Sequence, residues 1–250
     1  MPARAAAAAG ATLLGAVYWA TSATGVTGGD SGELSISAWH WSVAHPPGYP
    51  LYTLVGWLWL WPAKLAGLEP AAWLAKLSVI AGAAAGYQLA MAVANGRRGA
   101  HAAMQGLAAL TIFGLGAVWW SQCVVVEVYP LAQLLVVISY RVWCSSRRQP
   151  REAVPVQQRH LAGLALLASL GLGAHFALTI FAGVLGLSVW VRSREVLRLP
   201  RTYALVAVGL LPGALVLASM IWRAAATPEV SWAEIDSFQS WLLFLGRDGY

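Results

Sequence analysis

Long apolar runs constrain this chain more than any other feature, because each is about the length that crosses a bilayer as an α-helix. Inside hydrocarbon every backbone polar group must be bonded within its own segment, which leaves the helix as the spanning form for such runs. Charged residues make up 10% of the chain, against about 25% in a soluble domain. The chain is therefore predicted to be an all-α polytopic membrane protein, one module over residues 1–250. Seven spans are expected, at about 5–23, 71–94, 101–119, 127–143, 160–174, 176–191 and 203–222.

The positions of the arginines predict how these spans are oriented. Most arginines fall in three short loops, and loops rich in basic residues face the cytoplasm. The acidic residues Asp30, Glu33, Glu69 and Glu127 then fall on the outer side, and the amino terminus behind Arg4 is cytoplasmic. The first run could instead be a cleaved signal peptide. Because the basic loops lack interleaved aromatic residues, no nucleic-acid partner is expected. The arginines of these loops are Arg97, Arg98, Arg141, Arg147, Arg148, Arg151, Arg159, Arg192, Arg194, Arg198 and Arg201.

One apolar stretch, residues 51–68, is predicted not to cross the membrane. A crossing there would place the first arginine-rich loop outside, and the stretch carries several tryptophans, which are enriched at membrane–water interfaces. It is therefore expected to lie along the outer surface. The first outer loop, about 24–70, is then long and contains interfacial helices. Within it, residues 30–41 are expected to form a short helix capped by Asp30 or Ser31.

Two short motifs in this outer loop carry polar chemistry. The first, Gly-Gly-Asp-Ser-Gly-Glu, places the carboxylates of Asp30 and Glu33 three residues apart, on one face of a helical turn. A capping box accounts for the same pair without any chemistry. The second, His-Pro-Pro-Gly-Tyr-Pro, holds His45 on a stiff turn, because the two prolines restrict the backbone. The alternative is a solvated loop histidine.

Further polar residues are expected at the same membrane face. Tyr49 and Tyr52 would either stack on a sugar or anchor the loop at the interface. Glu127 begins a predicted helix, where it is either functional or a helix-end residue stabilised by the helix dipole. His175 lies at the outward turn between two spans, where the alternative is a hairpin residue bonded to backbone. Together with the two motifs, these positions favour chemistry performed at the membrane surface.

The two motifs resemble the opening of a family of polytopic O-mannosyltransferases in the GT-C superfamily. The strings concerned are Gly-Gly-Asp-Ser-Gly-Glu-Leu at 28–34 and Ala-His-Pro-Pro-Gly-Tyr-Pro-Leu-Tyr at 44–52. The likeness continues through 119–122, 127–131, the turn at His175 and the end of the chain at about 232–250, so it spans essentially the whole chain. The eukaryotic member of this family transfers mannose to IPT domains of cell-surface receptors.

This resemblance implies a GT-C-like module of about seven spans with interfacial helices in its first outer loop. It also implies a polyprenyl-phosphate-linked sugar donor and an essential acidic residue, for which Asp30 is the candidate with Glu33 beside it. Glu127 resembles a second acidic position of related transferases. Many relatives carry an Arg-Val-Asn-like start to the helix after the interfacial segment, where this chain has Lys76. Because full-length relatives continue beyond residue 250, a fragment or a short form that needs a partner is expected.

The implied chemistry assigns roles to particular residues. An acceptor hydroxyl must lose a proton as it attacks the anomeric carbon, and Asp30 is expected to take it. A single attack would invert the anomeric centre. The candidate catalytic residues are Asp30 and Glu33. The departing lipid phosphate needs donors or cations. The candidate substrate contacts are His45, Tyr49, Tyr52, Lys76, Glu127, Tyr129 and His175.

Cofactor, partners and location follow from the same reading. A divalent Mg²⁺ or Mn²⁺ held by Asp30, Glu33, Glu127 and a histidine would serve the phosphate equally well, so metal dependence is left open. The expected partners are the lipid-linked sugar, a protein or glycan acceptor, and the bilayer. Arginine-rich usage with two lysines favours a bacterial plasma membrane with an outward-facing site. In a eukaryote the site would face the lumen of the endoplasmic reticulum.

Two other functions fit the composition. A transporter or lipid flippase would use the ionisable residues as a proton or ion path, and it predicts such residues near the bilayer midplane. A non-catalytic subunit would keep the same fold without turnover.

Overall fold

The structure, a computed structural model, describes residues 3–94, 97 and 99–246, and every regular element in these ranges is helical. Arg98, which belongs to the first predicted cytoplasmic loop, lies outside the described residues. A short 3₁₀ helix, Arg194–Arg198, precedes the eleventh α-helix. The α-helices are α1 (Ala3–Thr21), α2 (Ser31–His40), α3 (Pro50–Trp59), α4 (Trp61–Ala66), α5 (Pro70–Ala94), α6 (Ala100–Gly114), α7 (Ala117–Cys123), α8 (Tyr129–Arg148), α9 (Val154–Ala174), α10 (Phe176–Arg192), α11 (Pro200–Ala226) and α12 (Phe238–Leu245).

The described chain is a helical integral membrane protein. Two helices, α5 and α11, are long and apolar enough to cross a membrane, and α6 with α7 would supply a third span as a bent pair. The other predicted runs are also helical, in α1, α8, α9 and α10. The prediction of a helical membrane protein is therefore confirmed, whereas the count of seven spans stays a prediction.

Two predicted helix boundaries are wrong. The run at 101–119 is not one helix, because α6 ends at Gly114 and α7 leaves it at 74°. Gly116, the residue before α7, has an extended backbone at φ −62 and ψ 129. Glycine destabilises the interior of a helix, so the helix breaks readily at this position. Similarly, α8 begins at Tyr129, where Pro130 favours the first turn, so Glu127 lies in the loop before the helix.

Helix α11 packs along α9 through two glycines one turn apart. A Cβ atom on Gly209 would lie 2.5 Å from the carbonyl oxygen of Ala162, and one on Gly213 would lie 2.2 Å from the carbonyl carbon of Ser169. The Ser169 hydroxyl also donates to the Gly209 carbonyl at 3.2 Å. Small residues at this spacing let two helix backbones approach closely. The register of α11 against α9 is therefore fixed by backbone contact.

The first outer loop is folded against α5. The stretch 51–68 forms α3 and α4 with a break at Leu60, which is fully buried. Leu34 of α2 and Leu74 of α5 belong to the same apolar cluster. The indoles of Trp59 and Trp73 stack with centroids 5.5 Å apart, and each donates to the carbonyl oxygen of the other residue. These contacts hold the loop in a defined place, while its position relative to the membrane surface stays a prediction.

Candidate active site

The first motif forms the turn that leads into α2. Asp30 occupies the N-cap position, but its side chain makes no cap hydrogen bond. The Ser31 hydroxyl closes the turn instead, accepting from the Thr27 N–H and donating to the Thr27 carbonyl, both at 2.8 Å. Gly29 has a φ of +69, a conformation that glycine adopts without strain. The Asp30 carboxylate is therefore left available, with 53% of its side chain exposed.

Glu33 reaches across to the second motif. Its Oε1 accepts the backbone N–H of His45 at 2.5 Å, and its Oε2 lies 2.9 Å from His45 Nδ1. The capping-box alternative is wrong for this pair, because both carboxylate oxygens of Glu33 contact His45 and the Asp30 side chain makes no cap hydrogen bond. One carboxylate thus fixes both the backbone and the ring of the histidine.

His45 joins the two carboxylates of the first motif. Its Nε2 lies 3.8 Å from Asp30 Oδ2, on the side of the ring opposite Glu33. The side chain is only 8% exposed, so the alternative of a solvated loop histidine is wrong. The imidazole is packed edge-on against Tyr49, with centroids 5.1 Å apart, and against Trp232 at 5.8 Å. The side chains of Glu33, His45 and Asp30 therefore form a row of polar groups, which is called the polar chain below and which ends in the exposed Asp30 carboxylate.

The turn that carries His45 is held by its glycine. Gly48 has a φ of +86, and its N–H donates to the His45 carbonyl at 2.6 Å. A Cβ at Gly48 would lie 2.5 Å from Met220 Cε and 3.1 Å from Phe244 Cε1. Helices α11 and α12 thus pack directly onto the turn.

The two tyrosines that follow are inside the protein. Tyr49 is 7% exposed and Tyr52 is 1% exposed. Neither side chain is placed as a membrane-surface anchor, and substrate contact by either stays a prediction. Burial raises the pKa of the Tyr52 phenol above its ordinary value, and the nearby charge of Glu127 raises it further. Tyr52 also belongs to the same buried apolar cluster as Val126 and Val128, the two neighbours of Glu127 in the chain.

Glu127 belongs to the same electrostatic cluster as the two motifs. Its loop is fixed to α5 by the Ser78 hydroxyl, which lies 3.4 Å from both the backbone N and O of Glu127. Burial raises the pKa of the Glu127 carboxyl above its ordinary value, and the negative charge of Asp30 raises it further. The backbone N–H of Val128 and the charge of His45 act in the opposite direction. The predicted convergence of Glu127 with Asp30 on one functional site stays a prediction.

This raised pKa predicts a pH-dependent stability difference. A carboxyl whose pKa is higher in the folded than in the unfolded protein binds its proton more tightly in the fold. Its contribution to the free energy of unfolding is therefore fully present below the unfolded pKa of about 4.3, and it is lost as the pH rises through the folded pKa. Glu127→Gln should therefore gain thermal stability relative to the native protein as the pH rises from about 4.3 through the raised folded pKa of Glu127. Unfolding midpoints in one detergent measure the difference. Glu229→Gln, which removes an exposed carboxylate, is the control, and its difference in midpoint from the native protein should not change with pH. A difference for Glu127→Gln that does not change with pH would contradict the prediction.

The remaining candidate substrate contacts are less central. Tyr129 and His175 face each other with ring centroids 5.5 Å apart, so the loop before α8 meets the turn before α10. Lys76 Nζ bonds the Ser22 hydroxyl, donates to the Trp19 carbonyl at 3.3 Å and lies 4.9 Å from the centre of the Trp19 ring. Lys76 is thus held at the carboxyl-terminal end of α1, and its contact with a substrate stays a prediction.

The residues at this site fit a divalent cation, although the set differs from the predicted one. The ligand atoms of Asp30, Glu33 and His45 lie within 4.8 Å of one another, and Glu127 is not in this group. Glu33 orients the ring through Nδ1, which leaves His45 Nε2 and Asp30 Oδ2 as the pair that would hold the ion. The carboxylate oxygens suit Mg²⁺ or Mn²⁺, whereas the imidazole nitrogen is a ligand more typical of Zn²⁺ and the later transition metals. Such an ion would neutralise the negative charge of a leaving phosphate.

Residues late in the chain also contact the site, and the sequence interpretation gave none of them a role there. Arg223 of α11 is 1% exposed and contacts the loop before His45. The Trp232 N–H donates to the Val43 carbonyl at 2.9 Å, beside its ring contact with His45. An arginine in the apolar helix α11 is a signal for Arg223, because charges in such helices are costly and usually functional.

By its fold and its site, this protein belongs to the class of helical membrane proteins that carry a cluster of two carboxylates and a histidine in the first loop. The family model described as the protein O-mannosyl-transferase TMEM260 N-terminal domain matches residues 30–198, and the chain belongs to this family. The resemblance read from the two motifs is thereby confirmed. The matched range includes Asp30, Glu33, His45 and Glu127, and it ends before Arg223.

Two curated relatives carry the same name. The mouse protein O-mannosyl-transferase TMEM260 is 35% identical over 122 residues, which cover 48% of this chain and 16% of that protein. The Dictyostelium discoideum protein O-mannosyl-transferase tmem260 is 50% identical over 42 residues, which cover 17% of this chain and 5% of that protein. The matched segments thus span a small part of the relatives' length. No solved structure matches the chain.

Proposed function

We propose that this chain carries the catalytic site of a GT-C type glycosyltransferase that moves mannose from a polyprenyl-phosphate carrier to a hydroxyl group, on a protein or a surface glycan. The observation that carries the proposal is the polar chain from Glu33 through His45 to Asp30, at distances of 2.9 and 3.8 Å. The family membership and the names of the relatives support mannose and a protein acceptor. The site faces the outside of a bacterial plasma membrane, or the lumen in a eukaryote.

Asp30 acts as the base. The acceptor oxygen attacks the anomeric carbon, its proton passes to the Asp30 carboxylate, and the bond from that carbon to the phosphate oxygen breaks. The electron pair of the broken bond leaves with the lipid phosphate. Attack and departure occur on opposite faces of the sugar, so the configuration inverts. The exposure of Asp30 supports this role, because a base must reach a substrate from outside the fold.

Glu33 and His45 orient the base. Glu33 holds both the ring and the backbone of His45, so the ring cannot rotate without breaking the 2.9 Å contact at Nδ1. Nε2 is thereby kept towards Asp30. Fixing a catalytic group in a productive geometry lowers the barrier without new chemistry. In this proposal Asp30 is the base, and Glu33 acts through His45 as a positioning residue.

Cations and amphipathic rings on the same side would receive the lipid phosphate. Lys76 lies at the outer ends of α1 and α5, and the backbone N–H of Ala23 beside it donates to the Val124 carbonyl at 2.7 Å. This bond ties the Lys76 region to the loop that carries Glu127. His175, beside Tyr129, is a second candidate donor. A phosphate bound near these groups would place its sugar close to Asp30.

A transfer assay with two donors tests the function. Membranes carrying the full-length protein are given labelled mannose on a polyprenyl phosphate or on a nucleotide, together with a hydroxyl acceptor. Label is expected in the acceptor from the lipid donor, with the opposite anomeric configuration. Transfer from the nucleotide donor alone would overturn the proposed carrier. Absence of transfer from both donors would favour a non-catalytic subunit with the same fold.

A further inference from the structure

A buried arginine from the far end of the chain grips the loop that carries His45. Arg223 of α11 donates from Nε to the Trp41 carbonyl at 2.9 Å and from one terminal nitrogen to the Ser42 carbonyl at 2.5 Å. The same nitrogen bonds the Thr53 hydroxyl, and the other lies 3.5 Å from the Pro50 carbonyl. The guanidinium therefore contacts the chain both before and after His45.

The guanidinium is enclosed as well as bonded. Arg223 is 1% exposed, and its charged carbon lies 5.2 Å from the centre of the Trp41 ring. That ring stacks in turn on Trp57 of α3, with centroids 5.0 Å apart. Among the described residues, Arg223 forms no ion pair with a carboxylate. Its charge is therefore directed at backbone carbonyl oxygens, which suits a role in holding a loop.

The segment after α11 adds a second grip on the same loop. The Ser42 hydroxyl donates to the Val230 carbonyl at 3.0 Å, and the Val43 N–H donates to the Ser231 hydroxyl at 3.3 Å. Beyond them, Trp232 packs on the ring of His45. Together these contacts fix the backbone just before His45, next to the His45 N–H that Glu33 accepts.

We infer that Arg223 is a positioning residue that clamps residues 41–53 and thereby keeps His45 in register with Asp30. A planar guanidinium presents five donors in a rigid fork spread over three nitrogens, so it holds separate carbonyls in a fixed geometry, whereas an ammonium group has three donors on a single atom. Without the clamp, the loop would open locally while the helices stay packed, because local opening costs less than unfolding. The part that concerns turnover rests on the proposed function, whereas the placement of His45 does not.

Chemical modification of His45 tests the clamp without any assay of activity. The full-length protein in detergent is treated with diethyl pyrocarbonate, and the rate at each histidine is read by mass spectrometry. The rate at His45 should rise about tenfold or more in Arg223→Met and by a smaller factor in Arg223→Lys. The exposed His101 on α6 serves as an internal reference whose rate should stay constant.

The chain offers a matched control at the other end of the bundle. Arg192 donates to the carbonyls of Ser146 and Gln149 at 2.9 and 3.1 Å, so it makes the same kind of contact away from the site. Arg192→Met should leave the rate at His45 unchanged. An unchanged rate at His45 in both Arg223 variants would overturn the inference. A joint rise at every histidine in Arg223→Lys would also overturn it, because the residue would then support the whole fold.

Measuring kcat and KM separately tests whether Arg223 positions the catalytic residues in the proposed reaction. If transfer from the lipid donor is observed, Arg223→Lys should lower kcat by about 100-fold, the cost of a catalytic group displaced by about 1 Å, while KM for the donor stays unchanged. A rise in KM with constant kcat would overturn the positioning role. If the native protein shows no transfer, the proposed function fails, and modification of His45 still decides the clamp.

Discussion

Asp30→Asn is expected to abolish sugar transfer while the amount of folded protein stays unchanged. Asparagine has the size of aspartate but cannot accept the acceptor's proton, and a general base contributes about 10²–10⁴-fold to a rate. The cost in stability should be small, because the Asp30 side chain makes no cap bond to α2 and is half exposed. Transfer of labelled mannose by membranes carrying equal amounts of the two proteins measures the effect.

The control for this variant is a carboxylate on the same side of the protein. Glu229 is exposed and adjoins Val230, which bonds the loop before His45. Glu229→Gln removes the same charge near the same loop and should leave transfer unchanged. If Asp30→Asn keeps most of the native rate, Asp30 is not the base. If both variants lose activity equally, the effect belongs to the charge of this surface.

Gly213→Ala is expected to destabilise the fold by about 3 kcal/mol, the upper end of the range for overpacked interiors. The added Cβ would lie 2.2 Å from the carbonyl carbon of Ser169 and 2.3 Å from its oxygen. Both atoms are backbone, so no side-chain rotation relieves the clash and α11 must move away from α9. Such a movement also displaces Arg223, which lies further along α11. The unfolding midpoint in a fixed detergent measures the loss.

A second helical glycine provides the comparison. Gly183 on α10 has nothing within 4 Å of its would-be Cβ. Gly183→Ala should therefore leave stability unchanged or raise it by about 0.5–1 kcal/mol, because alanine favours the helix. Equal midpoints for the two variants would show that the close approach of α9 and α11 does not support the fold.

The positions of most helices could be predicted from apolar runs. Each run is long enough to span a bilayer, and backbone bonding in hydrocarbon enforces the helix, so local sequence is sufficient. The bend between α6 and α7 could not be predicted in this way, since Leu115 and Gly116 sit in a continuous apolar run. An apolar run reports burial in lipid or protein, and it does not report which residue interrupts the helix.

The candidate site was predicted in part. Asp30, Glu33 and His45 stood out because polar residues are rare in this chain, and the fold brings all three together. The pairing of Glu33 with His45 was not predicted. A capping box and a cross-loop contact use the same Glu33, and the three-residue spacing from Asp30 fits both. Distance in the fold separates the two, and it depends on where residues 41–50 are held.

The amino-acid sequence alone determined that this protein is helical, that it belongs in a membrane, and which rare polar residues deserve attention. These properties follow from local composition, because solvation by lipid acts on each segment separately. The tertiary structure alone decided that Glu33 holds His45 and that Arg223 and Trp232 close the same loop from nearly 200 residues away in the chain. Such contacts depend on how α11 packs on α9 through Gly213, and no local pattern around His45 encodes that packing.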